Sequence, residues 1–139
     1  MTEGSLRRNV SYGLITAHFF LILLVFLIWA FQGFTFSEMT TTVAVLLPLF
    51  ATHTAAIAKY LVKNRVAVVD ANAKTITAEF RFLALFPPTA FVLLILVLIL
   101  LKAFNVAFTT FDDFKISLAL CESIFGVYVT SIVTALYKQ

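Results

Sequence analysis

The side chains best placed to do chemistry in this chain are one acid and two imidazoles, each set inside an apolar run. Glu122 sits in Leu118-Ala119-Leu120-Cys121-Glu122-Ser123-Ile124-Phe125, His53 in Ala51-Thr52-His53-Thr54-Ala55-Ala56, and His18 in Thr16-Ala17-His18-Phe19. Ionisable groups in hydrocarbon cost roughly 2.5–3.5 kcal/mol each on insertion scales, which makes them functional candidates by default. An ionised carboxylate at Glu122 demands a partner, an aqueous path or a bound cation or proton. The competing use is structural: a carboxyl that hydrogen-bonds a neighbouring helix fixes packing or oligomer state.

Helical spacing extends the Glu122 feature into a stripe. Lys115, Ala119, Glu122, Gly126, Thr130 and Thr134 recur at steps of three or four and share one face. Apart from Lys115 and Glu122 they are small, so the face either admits another helix closely or lines a pore. Lys115 can also pair with Asp112 and snorkel outward. His18 and His53 fall at matching depth on successive spans of opposite direction. Together they would form a proton-sensitive gate, since imidazole titrates near neutrality. Separately, each would be bonded to Thr16, Thr52, Thr54 or Tyr60. Two histidines without a nearby carboxylate or thiolate do not indicate a metal site. Pro48, midway along its run, removes a backbone donor from the carbonyl of Ala44 and marks a hinge candidate, as do Pro87 and Pro88.

Several chemistries lack their residues. There is no G-x-S-x-G, H-E-x-x-H or P-loop, and only four glycines occur. No catalytic residue and no cofactor are expected. The single cysteine, Cys121, gives no disulfide framework. Nucleic acid is not an expected partner despite a net charge of +3, because the basic residues cluster at the ends of apolar runs and lack an aromatic platform.

The elements that must position these residues follow from composition. The chain has 139 residues, 62% hydrophobic and 12% charged, with a mean hydropathy of +1.04. Soluble domains carry about 25% charge, and a disordered chain needs low hydrophobicity. The expected fold class is an all-α integral membrane protein, one domain of four transmembrane helices in a single bundle. A spanning helix needs about 20 mostly apolar residues. The expected spans are 12–32, 36–62, 87–105 and 111–137, with a cytoplasmic loop over 63–86. The first run is too long for a signal-peptide core and is read as a retained helix. Thr35-Phe36-Ser37-Glu38 and Thr110-Phe111-Asp112-Asp113 fit capping boxes at the starts of the second and fourth helices. Pro87-Pro88 is expected to start the third, with a break near Phe86. The segment from Thr75 to Phe86 would then be a short separate element.

Basic residues set the orientation. With both termini cytoplasmic, eight lie inside and two, Lys102 and Lys115, outside, as the positive-inside rule requires. The loop carries Lys63, Arg65, Lys74, Glu79 and Arg81, the candidate surface for a cytosolic protein partner. Its alternating Thr75–Phe82 pattern suits a strand, but isolated hairpins are marginal, which favours helix. Four helices leave little room for a private pore, so the chain is expected to associate with itself, for example as a tetramer, in the cytoplasmic (inner) membrane. The first functional expectation is an ion-conducting channel or pore-type effector lined by helices 2 and 4 and gated through the loop, with antiviral defence as one setting. Its site residues would be Glu122, Lys115, Thr130, His53 and His18. The alternatives are a non-conducting subunit that anchors a cytosolic partner, and a proton-coupled carrier of a small molecule or lipid.

Overall fold

The computed structural model describes residues 2–63 and 75–137. Four helices account for most of them: α1 (Glu3–Ala30), α2 (Phe36–Lys63), α3 (Ala78–Ala103) and α4 (Phe111–Tyr137). All four are long and apolar enough to cross a membrane, the make-up of a multi-pass membrane protein. At 26 to 28 residues and 1.5 Å per residue, each rises about 40 Å. That exceeds a hydrocarbon core of about 30 Å, so the helix ends reach beyond it.

The starts are built by side-chain caps. Both expected capping boxes form. The Thr35 amide donates to the Glu38 carboxylate at 2.8 Å and the Glu38 amide to the Thr35 hydroxyl at 3.2 Å. At α4 the Thr110 amide donates to Asp113 and the Asp113 amide to the Thr110 hydroxyl, each at 3.2 Å. Thr77 caps α3 by accepting from the Phe80 amide. Thr2 caps α1 by accepting from the Ser5 amide, so α1 starts nine residues before the expected Tyr12. Its polar first turns are helical because that cap and the Arg7–Glu3 pair, one turn apart, satisfy them.

Two of the helix ends close alike. After α1, the Gly33 amide donates to Ile28 at 2.8 Å and the Gln32 amide to Trp29 at 2.9 Å; after α3, Val106 donates to Leu101 and Asn105 to Lys102, both at 3.0 Å. This is the Schellman arrangement. It puts Gln32 (φ 65°) and Asn105 (φ 53°) in the left-handed region.

The expected break at Phe86 does not occur. α3 runs without interruption from Ala78 through Pro87 and Pro88, so Thr75–Phe86 is not a separate element and Glu79 and Arg81 belong to the first turns of a helix. Pro87 has no N–H for the carbonyl of Leu83, four residues earlier. The Tyr128 hydroxyl of α4 donates to that carbonyl instead. Neighbouring side chains that re-satisfy freed carbonyls are what allow proline inside membrane helices. α2 likewise continues through Pro48.

The helices pack in the cyclic order α1, α2, α4, α3. Consecutive elements usually neighbour each other, but here α2 and α3 take diagonal positions. The bundle is two antiparallel hairpins, α1–α2 and α3–α4, laid side by side. α1 therefore runs parallel to α3, and α2 to α4. At one end an isolated antiparallel bridge joins Thr2 and Thr75. At the other, Lys102 of α3 reaches Glu38 of α2 at 3.2 Å. Both short turns lie at this second end.

Each helix turns one stripe inward. α1 buries Leu6, Val10, Leu14, His18, Leu21 and Val25. α4 buries Phe114, Leu118, Glu122, Phe125, Val129, Val133 and Leu136 at steps of three or four. The outer faces are apolar too: Phe19, Phe20, Leu23, Leu94, Leu120, Ile124 and Val127 are all exposed. Water is a poor solvent for such a surface and lipid a good one. The expected loop residues Arg65 and Lys74, and the helix-or-hairpin question between them, lie outside the described residues. Lys63 is the last residue of α2.

Candidate functional site

The α2 and α4 helices, parallel neighbours, enclose an open groove of about 720 Å³. Val45, Pro48, Leu49 and Thr52 line it from α2. Ala119, Glu122, Ser123, Gly126, Thr130 and Ser131 line it from α4. Four of the six residues of the expected stripe, Ala119, Glu122, Gly126 and Thr130, lie in that wall, and Lys115 and Thr134 do not. Gly126 matters by what it lacks: a Cβ there would sit 3.0 Å from Cδ1 of Leu49. A larger residue there would need the Leu49 side chain to give way.

Glu122 lies eleven residues past the start of α4, about 16 Å along the axis. It is 6% exposed, and neither carboxyl oxygen meets a hydrogen-bond partner among the described residues. A buried polar group without a partner costs about 1–3 kcal/mol, more if charged. Such a group is retained where something else supplies the interaction. Three of the four hydroxyls that line the groove are already committed as donors. Thr52 donates to the Pro48 carbonyl at 2.8 Å, Ser123 to Ala119 at 2.8 Å and Ser131 to Val127 at 2.9 Å. What remains toward the groove are their oxygen lone pairs. Among the described residues no Lys, Arg, Asn or Gln lines it. The groove is mostly apolar, and apart from the Thr130 hydroxyl its polar atoms accept.

The histidines form a second feature inside the bundle. His18 and His53 have ring centroids 6.4 Å apart, edge to face. The expectation of matching depth therefore ends in contact between α1 and α2. His18 also stacks between Phe50 of α2 at 5.4 Å and Phe125 of α4 at 6.0 Å. Its Nδ1 lies 2.8 Å from the Leu14 carbonyl; because a carbonyl only accepts, Nδ1 is the donor, and Nε2 takes no part in that bond. That Nε2 and both nitrogens of His53 are buried without a partner among the described residues. Neither ring bonds the threonines weighed in the sequence. The described residues hold no cluster of three metal-ligating side chains. Phe125 links the two features, since it stacks on His18 and follows Glu122 by one turn of α4.

Lys115 does not join the site. It is two turns from Glu122, near the start of α4, and pairs with Asp112 at 2.6 Å, the outward alternative. Pro48 lines the groove, whereas Pro88 is buried against α1. Glu79 and Arg81 are exposed on α3.

Sequence reasoning missed the ion pair at the turn end. Lys102 is only 8% exposed, and its ammonium reaches Glu38 at 3.2 Å and Oδ1 of Asn105 at 3.1 Å. Glu38 therefore does two tasks, capping α2 with one oxygen and clamping α3 with the other. A lysine and a glutamate at hydropathy boundaries of different spans were the available signal. Compared with known proteins, the chain matches no family, no curated protein and no solved structure.

Proposed function

We propose that the protein is a cation-conducting membrane protein that works as a homo-oligomer, with the α2/α4 face toward the conduction path and both termini cytoplasmic. One observation carries the reading: an unpartnered carboxyl, Glu122, in a hydroxyl-bearing groove on the outer surface of the bundle. A single copy leaves that groove open on one side. Several copies arranged about an axis with this face inward would bring their carboxyls into a ring, and acidic rings select cations. Thr52, Ser123, Thr130 and Ser131 would present oxygen atoms above and below the ring. The paired histidines behind Phe125 would give the path a proton-sensitive support, and the segment between α2 and α3 a place for a gating partner.

The test is ion flux through purified full-length protein in liposomes, wild type beside Glu122→Gln. The expected result is cation-selective flux whose rate or selectivity falls in the variant. Flux identical in both, or none from folded protein under either polarity, refutes the reading. Saturable, pH-dependent uptake lost in Glu122→Gln would favour a proton-coupled carrier built on the same groove.

A further inference from the structure

We propose that the α2/α4 groove is a binding site for a lipophilic organic cation, a phosphonium or ammonium centre carrying apolar groups. The inference rests on the same face being the functional one, and it names what that face recognises. Three observations converge on this class. The first is charge. Glu122 is buried with both oxygens unpartnered, and a groove whose only charged side chain is that carboxyl, with the Thr130 hydroxyl the one uncommitted donor in its lining, disfavours anions. The Thr52, Ser123 and Ser131 protons are consumed by their own helix, so no donor from these hydroxyls competes for the carboxylate.

The second is size. The groove of about 720 Å³ falls within the roughly 300–1,000 Å³ range of small-molecule sites. A bare inorganic ion would leave most of that space unfilled and would need several more oxygen ligands at close range. Val45, Pro48, Leu49 and Ala119 instead offer apolar walls to the substituents of an organic cation. The third is access. Val127 on the groove's rim is 73% exposed, and Leu120 and Ile124 on the adjoining face are 60% exposed. In a single copy this side is open, so an amphiphile partitioned in the bilayer reaches the groove sideways; in an assembly with this face inward it reaches the groove along the conduction path. Apolar groups supply binding energy, and the single carboxylate supplies selection by charge.

The experiment uses two ions of the same shape and opposite charge. Tetraphenylphosphonium and tetraphenylborate are titrated calorimetrically into purified full-length protein in nanodiscs, and into empty nanodiscs to subtract partitioning. The expected result is one saturable site for the phosphonium and none for the borate. Glu122→Gln should weaken the phosphonium by roughly thirtyfold or more, the scale of losing one partner of a buried charge pair. Glu122→Asp should keep most of the affinity. Thr130→Phe, which obstructs the groove from an exposed position without touching the carboxyl, should abolish binding while circular dichroism stays unchanged. Equal binding of both ions, or phosphonium affinity indifferent to Glu122→Gln and Thr130→Phe, overturns the proposal. The failures are separable: phosphonium binding without ion flux removes the pore and keeps the ligand site, whereas flux without phosphonium binding or block does the reverse.

Discussion

Tyr128→Phe tests how a helix survives two consecutive prolines. Pro87 removes the backbone donor for the Leu83 carbonyl, and the Tyr128 hydroxyl takes its place across the α3–α4 interface. Deleting that hydroxyl leaves the carbonyl without its cross-helix donor in a setting poor in water. Interhelical hydrogen bonds in membranes average about 0.6 kcal/mol and reach about 1.7. Here the accepting carbonyl has lost its normal donor, so the upper part of that range applies, and we expect a loss of about 1 kcal/mol. That is roughly a fivefold change in the unfolding equilibrium. The control is Pro87→Ala, which restores an N–H one turn after Leu83 and makes the tyrosine hydroxyl redundant. In that background Tyr128→Phe should cost less than half as much. The assay is reversible unfolding in mixed micelles by titration with dodecyl sulfate, followed by far-ultraviolet circular dichroism, for all four members of the double-mutant cycle. Equal costs in the two backgrounds would refute the reasoning, because the hydroxyl would then be serving something other than the proline gap.

The turn end yields two further tests in the same unfolding assay. Glu38→Gln keeps the capping geometry and loses the charge pair with Lys102, whereas Glu38→Ala loses both; the alanine variant should be less stable than the glutamine variant by about 1 kcal/mol, and equal losses would show that the cap contributes nothing. Gln32→Gly should stabilise by about 1 kcal/mol because Gln32 sits at φ 65°, while Asn105→Gly should gain less, since Asn tolerates this region and its Oδ1 accepts from Lys102; matching gains would argue against that contact. For orientation, a reporter active only outside the cytoplasm should be silent when fused after Gln139, and activity there would reverse the proposed topology.

The parts of this fold that were legible in the sequence are those governed by neighbours along the chain. Thr35 with Glu38 and Thr110 with Asp113 are three residues apart, and their boxes form as the pattern requires. The stripe on α4 repeats with the helical period, and its middle four residues, Ala119 to Thr130, line the groove. Two features were hidden by the same cause: a partner distant in sequence changed a local rule. Pro87-Pro88 reads as a helix start until Tyr128, 45 residues away from Leu83, supplies the missing donor. Glu38 and Lys102 each looked like a boundary residue, and only the hairpins' side-by-side packing brings them together. The helix α1 extends nine residues ahead of the expected span, because hydropathy is blind to a polar first turn whose cap and ion pair are local. The histidines were placed at one depth by counting residues, but their stacking with Phe50 and Phe125 depends on which helices are neighbours.

The side-by-side order of the hairpins also bears on how the protein is made. α1–α2 is synthesised before α3–α4. The groove takes one wall from each, α2 from the earlier and α4 from the later. Neither half-product contains it, so a nascent chain halted midway through insertion has no polar cleft in the bilayer. The site is complete only where the two hairpins lie side by side, and whatever the groove does requires that packing.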